Sequence, residues 1–222
     1  MSIYRSEHGG RLVRERYEQQ LAAWPVPAQR HTVETSFGRT FALACGDDTA
    51  PAVVLLHGSG ANSSVWQDGI DLLAAGRRVV LLDLMGEPGL SDPVRLDLTT
   101  GDTADWLVEC LDALGVGTAA FAGLSLGGWT VADFATRRPE RVDRLPWCAR
   151  PRAERFPVFD DETLRRLTMP VLAVLGGRDR VFDPVGTERR LRSLVRDVRV
   201  EVVPTSGHAL VGQTPRIVEF LG

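Results

Sequence analysis

Short apolar runs recur along this chain and alternate with amphipathic stretches. Four of the runs are rich in apolar residues and too short for buried helices, so they predict buried strands of a parallel sheet. They are residues 52–58 (AVVLLHG), 78–84 (RVVLLDL), 118–124 (TAAFAGL) and 171–177 (VLAVLGG). A further run, residues 198–203 (VRVEVV), alternates apolar and charged positions, which predicts a strand near the sheet edge with one solvated face.

The stretches between these runs space their apolar residues as helices do. The predicted helices are residues 11–24, 102–115, 127–138, 186–197 and 214–221. In the second helix, Asp102 is a candidate N-cap and Gly115 a candidate C-cap. Two β-rich runs, near residues 31–36 and 40–45, predict a hairpin that turns at Gly38-Arg39.

This alternation indicates an α/β fold, with a doubly wound and mostly parallel sheet and helices on both faces. At 222 residues the chain fits one domain, residues 1–222, in which residues 1–29 form an N-terminal helical extension. In such sheets, active sites lie at the carboxyl ends of the strands. The loops that follow the predicted strands are therefore where chemistry is expected.

Composition narrows the classes of function. The net charge of −3 argues against nucleic acid or an anionic membrane as a partner. No apolar run approaches the ~20 residues of a membrane span, and the N-terminus has no apolar signal segment. Cys45, Cys110 and Cys148 are scattered, so they predict neither a disulfide framework nor a metal site and favour a reducing cytoplasm. All 26 basic residues are arginine, which indicates the genome bias of a GC-rich bacterium.

One serine lies between glycines where a predicted strand meets a predicted helix. Residues 123–127, Gly-Leu-Ser-Leu-Gly, fit the pattern G-x-S-x-G. Gly123 and Gly127 leave room for a sharp turn that holds Ser125 in strained backbone angles and exposes its hydroxyl at the helix N-terminus. Ser125 is therefore a candidate nucleophile, and the alternative interpretation is a plain turn or a glycine-rich phosphate loop.

Two further loops carry the partners that a serine nucleophile needs. His208 comes directly after the last predicted strand and is a candidate base, although a lone histidine is more often structural. Asp179 follows the strand at 171–177 and is the favoured acid to orient that imidazole. Asp183 is its rival, but it is also suited to cap the helix that Pro184 begins.

A fourth loop, HGSGANSSVW, follows the strand at residues 52–56. Its backbone N–H groups are suited to form an oxyanion hole together with the N–H of Leu126, the residue after the candidate nucleophile. Gly58 lets this backbone approach a substrate oxygen. The side chain of His57 is expected to be structural and to tie the loop down. A phosphate-binding loop is the alternative, but neither G-K-[ST] nor G-x-G-x-x-G is present.

Taken together, the segments HGSG, DLMGEPGLSD, GLSLGG, GGRD and SGH resemble the α/β-hydrolase superfamily, from about residue 30 to the end. Within it, the chain looks most like bacterial serine carboxylesterases. The resemblance implies Ser125 as nucleophile, Asp179 as acid, His208 as base and oxyanion donors at Ser59 and Leu126. It also implies an eight-stranded sheet with its second strand antiparallel, no cofactor, and a small-molecule ester or thioester as substrate.

Two departures from the superfamily stand out. Relatives carry a long helical cap between the sixth and seventh strands, whereas here residues 142–168 leave room only for a reduced cap or linker. Pro146 falls within the sixth strand, which we therefore expect to be short or bulged, with Trp147 and Cys148 near the pocket mouth. An open site would expose apolar surface, and that surface would favour a homodimer.

The superfamily pattern leaves several functions open. A thioesterase, a lactonase or a cyclase would keep the triad and change the acyl partner. A non-hydrolytic enzyme would use the oxyanion hole without Ser125 as nucleophile. A binding protein would use the fold without turnover.

Overall fold

A computed structural model of the chain describes residues 3–148, 157–180, 183–208, 210 and 212–222. Eight strands form one sheet within these residues. They are β1 (Ala28–Thr35), β2 (Gly38–Gly46), β3 (Ala52–Leu56), β4 (Arg78–Leu82), β5 (Ala119–Leu124), β6 (Val142–Cys148), β7 (Val171–Gly176) and β8 (Val198–Val203). Each of the five apolar runs in the sequence therefore contains a strand, and the hairpin is β1–β2.

The strand order across the sheet is β1-β2-β4-β3-β5-β6-β7-β8. Strand β2 is antiparallel to both of its neighbours, and every pairing from β4 to β8 is parallel. This confirms the mostly parallel sheet of eight strands with an antiparallel second strand. Strand β8 lies at the edge, as its alternating pattern predicts.

Seven α-helices connect or flank the described strands. They are α1 (Glu7–Ala22), α2 (Ile70–Ala74), α3 (Asp102–Ala113), α4 (Leu126–Arg137), α5 (Asp161–Arg165), α6 (Pro184–Leu194) and α7 (Thr214–Leu221). The N-cap of α3 is Gly101 and not Asp102, because Asp102 already belongs to the first helical turn. Gly115 follows the C-cap Leu114 and takes a φ of +65°, a conformation that glycine adopts without strain.

The central strands bury both faces. Val54, Leu56, Val80 and Leu82 belong to one apolar cluster, which includes residues of α3, α4 and α6. Their neighbours in sequence on β3 and β4 belong to a second cluster, which includes residues of α1, α2 and α7. The two-residue repeat of a strand thus places helices on both faces, and the unbroken apolar runs follow from this.

Strand β6 is bulged but not short. Its pairing with β5 shifts register between Ala119 and Ala120, which leaves Asp143 as the extra residue. The pairing of β6 with β5 then omits Pro146, so the N–H that proline lacks falls in a gap of this ladder. On its other side, β6 still pairs with β7 at Pro146. The expected linker at 142–168 therefore starts too early, because Val142–Cys148 is the strand itself.

The position of Trp147 also differs from the expectation that it lies near the pocket mouth. Its side chain is buried in the main core, with 2% of its surface exposed. A Cβ atom at Gly128 of α4 would lie 2.8 Å from the Trp147 ring, so the indole packs under that helix and not at a pocket mouth. The side chain of Cys148 lies outside the described residues.

Candidate active site

Ser125 forms a sharp corner between β5 and α4. Strand β5 ends at Leu124, the helix begins at Leu126, and Ser125 between them takes φ +50° and ψ −109°. Among the described residues, it is the one non-glycine residue with a positive φ. Such backbone strain persists only where the surrounding structure enforces it.

Two glycines make this corner possible. A Cβ atom at Gly123 would lie 2.3 Å from the carbonyl oxygen of Gly127, inside the turn itself. One at Gly127 would lie 2.4 Å from the carbonyl oxygen of Leu56, where α4 passes the end of β3. Both positions therefore exclude any side chain, and the G-x-S-x-G spacing has a steric cause here.

The side chains of Ser125, His208 and Asp179 form a hydrogen-bonded chain. Ser125 Oγ lies 3.1 Å from His208 Nε2, and His208 Nδ1 lies 3.1 Å from Asp179 Oδ2. The Asp179 side chain is 3% exposed, whereas that of His208 is 32% exposed. A buried carboxylate on Nδ1 favours the tautomer that carries its proton on Nδ1, and Nε2 then accepts a hydrogen bond from the Ser125 hydroxyl.

The backbone pins the loops of Asp179 and His208 together. Gly177 N–H donates to Val203 O at 2.9 Å, and Arg178 N–H donates to Ser206 O at 2.9 Å. A Cβ atom at Gly176 would lie 2.1 Å from the carbonyl oxygen of Gly207, so this approach also requires glycine. The loops after β7 and β8 are thus held in contact before any substrate binds.

Asp183 has a different structural role. It is the N-cap of α6, and its carboxylate accepts a 3.0 Å hydrogen bond from the backbone N–H of Gly186. The structure therefore separates the two aspartates that the sequence left as rivals, because Asp179 contacts the imidazole of His208 and Asp183 starts a helix.

His57 ties the loop after β3 to the end of β4. Its ring is fully buried, with Nδ1 2.8 Å from Gly58 O and Nε2 accepting a 2.9 Å hydrogen bond from Leu84 N–H. Burial lowers the pKa of His57, although the charge of Asp83 opposes this effect. A neutral imidazole fits both contacts, with Nδ1–H donating to the Gly58 carbonyl.

This loop passes close to Ser125. A Cβ atom at Gly58 would lie 3.3 Å from the Cβ of Ser125. Within the described part of the chain, the backbone N–H groups of Ser59 and Leu126 donate to no protein acceptor. They are thus available to hydrogen-bond a substrate oxygen beside Ser125.

A buried carboxylate that the sequence analysis missed organises these loops. Asp83, directly after β4, accepts hydrogen bonds from the hydroxyls of Tyr17 and Ser63 at 3.0 and 2.7 Å, and from Leu90 N–H at 2.9 Å. Burial, together with the Asp83 charge, raises the pKa of Tyr17, so its phenol stays a donor. The sequence signal that could have identified Asp83 is an acidic residue at the end of a buried apolar run.

Two cavities meet at Ser125. The larger, about 510 Å³, is lined by apolar side chains such as Leu98 and Trp106 and, in equal number, by polar or charged ones that include Glu87 and Arg95. The smaller, about 350 Å³, is lined by His208, Val65 and Leu210 among others. Ser59 and Ser125 line both cavities, so a bound molecule can extend to either side of the serine.

Comparison with known proteins agrees with this architecture. The sequence model of the alpha/beta hydrolase fold matches residues 51–150. The crystal structure of naproxen esterase (carboxylesterase NP) from Bacillus subtilis superposes with a TM-score of 0.87 at 26% identity, covering 99% of this chain and 100% of that chain. The chain therefore has the α/β-hydrolase fold.

Two curated relatives from Bacillus subtilis (strain 168) extend the comparison. An uncharacterized carboxylesterase, nap, is 28% identical over 91% of this chain and 88% of its own length. Carboxylesterase YbfK is 27% identical over 92% of each chain. These matches confirm the resemblance to bacterial carboxylesterases. The alignment with nap spans 263 positions, more than the 222 residues of this chain, so that relative contains positions with no counterpart here.

Neither a metal cluster nor a membrane-spanning helix emerges from the described residues. They include no group of three or more His, Cys, Asp or Glu side chains placed to hold a metal ion. Nor do they include a helix with the length and apolar character that crossing a bilayer requires.

Proposed function

We propose that this protein is a serine carboxylesterase that hydrolyses small-molecule esters through an acyl-enzyme on Ser125. The hydrogen-bonded chain from Asp179 through His208 to Ser125, with 3.1 Å at both contacts, is the observation that carries the proposal. The similarity to bacterial carboxylesterases over most of the chain supports the same class of substrate.

In the first half of the reaction, Ser125 Oγ attacks the ester carbonyl carbon while His208 Nε2 takes its proton. Asp179 holds the imidazole in the required tautomer and stabilises its protonated form. The tetrahedral oxyanion accepts hydrogen bonds from the N–H groups of Leu126 and Ser59, each worth ~3 kcal/mol in the transition state. The carbon–oxygen bond then breaks, and the alcohol leaves with the proton from His208.

In the second half, a water molecule replaces the alcohol. His208 takes a proton from this water as it attacks the acyl carbon, and then returns the proton to Ser125 Oγ as the carboxylic acid departs. Side chains and backbone of this chain serve every step, so the mechanism uses no cofactor.

The two cavities give the substrate an orientation. His208 must protonate the departing alcohol, and His208 lines only the smaller cavity. We therefore place the alcohol in the cavity of about 350 Å³ and the acyl group in the larger one of about 510 Å³. This assignment favours esters with a sizeable acyl group.

We further propose that the site is open because the cap is reduced. A cap between β6 and β7 has only residues 149–170 in which to fit, and the described part of that interval, residues 157–170, contains the short helix α5. Positioning energy that a longer cap would supply is then missing, so we expect modest activity over a broad range of esters.

Covalent labelling of Ser125 is the decisive test. Wild type, Ser125→Ala and the exposed control Ser193→Ala are each incubated with a fluorophosphonate and measured by intact mass. One adduct on wild type and on the control, with none on Ser125→Ala, is the expected result. An adduct that persists on Ser125→Ala, or no adduct on folded wild type, would refute the proposal.

A substrate panel then identifies the leaving group. p-Nitrophenyl esters, thioesters of the same acids and lactones are compared by kcat/KM. Faster turnover of the esters supports a carboxylesterase, and a consistent preference for thioesters or lactones contradicts it.

A further inference from the structure

Glu87 lies in the loop after β4, next to the loop that carries Ser59. Its Oε2 accepts a 2.6 Å hydrogen bond from Gly60 N–H, and both of its carboxylate oxygens lie 3.3 Å from Ser59 Oγ. Glu87 is half-buried and lines the same cavity as Ser125. Its carboxylate therefore contacts the segment that contains one candidate oxyanion donor.

The other contacts between these loops are made elsewhere. Leu84 N–H reaches the buried ring of His57, and the Asn62 amide donates a 2.9 Å hydrogen bond to Pro88 O. At Ser59 and Gly60 themselves, the contact to Glu87 is the one that joins the two loops within the described chain. Gly60, at φ +73°, has backbone freedom that such a contact restrains.

The hydrogen-bond pattern leaves the N–H of Ser59 available as an oxyanion donor. Glu87 takes the N–H of Gly60, whereas the N–H of Ser59 donates to no described acceptor. Fixing Gly60 and the Ser59 hydroxyl on one carboxylate limits how far the Ser59 N–H can turn away from Ser125. A negative charge in this cavity does not by itself stabilise an oxyanion, so its benefit must come from geometry.

We infer that Glu87 is a positioning residue, which holds the Ser59–Gly60 backbone so that the Ser59 N–H points at the oxyanion formed on Ser125. The inference rests on the proposed function, because it assigns Glu87 to the same acyl transfer. Nothing in the sequence pattern singled out this residue, since its role depends on the contact between two loops.

The test compares Glu87→Ala, Glu87→Gln and the exposed control Glu140→Ala. Glu140 lies in a 3-10 turn at the start of β6, at the opposite end of the strands from Ser125. kcat and KM are measured with p-nitrophenyl butyrate, thermal unfolding checks the fold, and hydrogen exchange reports on the Gly60 amide.

Glu87→Ala should lower kcat by about 10- to 100-fold with little change in KM, because the lost alignment matters in the transition state. Glu87→Gln keeps an acceptor oxygen for Gly60 N–H and should recover most of kcat. The Gly60 amide should exchange faster in Glu87→Ala than in wild type or Glu87→Gln. Glu140→Ala should match wild type in every measurement.

Two results would overturn the inference. An unchanged kcat in folded Glu87→Ala would show that the contact does not position the oxyanion donor. Equal losses in Glu87→Ala and Glu87→Gln would show that charge and not geometry matters. If wild type neither turns over esters nor reacts with a fluorophosphonate, the proposed function fails. Hydrogen exchange at the Gly60 amide then tests the restraint by Glu87 separately. Faster exchange in Glu87→Ala than in wild type supports the restraint, and equal exchange refutes it.

Discussion

The hydroxyl of Tyr17 in α1 donates a 3.0 Å hydrogen bond to the carboxylate of Asp83 at the end of β4, across 66 positions of sequence. Both residues are buried, at 1% and 0% exposure. The same carboxylate accepts from Ser63 and Leu90, so one acid joins the N-terminal helix to the loops beside Ser125. Helix α1 is thereby part of the framework of the site.

Tyr17→Phe removes this hydroxyl with little change in shape. We expect the free energy of unfolding to fall by about 1–3 kcal/mol, because a buried hydrogen bond to a charged acceptor is lost. Urea unfolding measures the loss. Thr49→Val is the control, since its hydroxyl also donates to a carboxylate, that of Asp47, but at an exposed site. Equal effects of the two variants would contradict a special role for the buried contact.

Gly127→Ala tests the steric cause of the serine corner. Its new Cβ would lie 2.4 and 2.5 Å from the carbonyl oxygens of Leu56 and His57, both backbone atoms that cannot rotate away. We expect a loss of several kcal/mol in stability or failure to fold. In Gly117→Ala the new Cβ meets no atom within 4 Å, so that variant should stay close to wild type. A stable Gly127→Ala with wild-type fluorophosphonate labelling would refute this packing argument.

Two truncations test the orientation of the ester. Leu98 lines the larger cavity and Val65 the smaller one. Leu98→Ala should shift kcat/KM toward bulkier acyl groups at constant alcohol, by roughly 10-fold or less, as expected for a few methylene groups in a pocket. Val65→Ala should instead shift the preference toward bulkier alcohols. The reverse pattern would exchange the two assignments.

The buried imidazole of His57 predicts a loss of stability in acid. Its pKa is lowered in the folded protein, whereas in the unfolded chain it titrates near its ordinary value of about 6.5. Below that pH the unfolded state binds a proton at His57 that the folded state does not bind, so the free energy of unfolding falls as pH falls. This one group contributes a slope of up to about 1.4 kcal/mol per pH unit.

Urea unfolding between pH 7.5 and 5.5 measures that slope. His57→Gln should be less stable at pH 7.5 but should lose less stability on acidification than wild type. His8→Gln alters an exposed side chain and should keep the wild-type slope. A His57→Gln variant with an undiminished slope would assign the acid sensitivity to other groups.

Local patterns were sufficient for much of the fold. Strands β3, β4, β5 and β7 were visible as apolar runs, because a strand buried on both faces has no polar positions to interrupt it. Ser125 was visible because its corner needs glycines at fixed spacing. His208 was singled out by its position directly after the last strand.

Other features depend on contacts between distant segments. Whether Asp179 or Asp183 faces the imidazole depends on how the loops after β7 and β8 meet, and not on either loop alone. The burial of Trp147 depends on how α4 packs over β6, so the local sequence wrongly predicts a position near the pocket mouth. Pro146 predicted a disturbed strand, but only the pairing shows that β6 keeps its seven residues by a bulge and a gap.

Periodicity and short-range sterics in the sequence were enough to predict the four buried strands, the hairpin, the edge strand, the glycine corner at Ser125 and the candidate residues at the strand ends. Contacts in the folded chain show which candidates touch, that Asp83 joins α1 to the site, and that Glu87 reaches the Ser59 loop. Hydrogen bonds between residues far apart in sequence depend on the packing of whole elements, and no local pattern of residues encodes that packing.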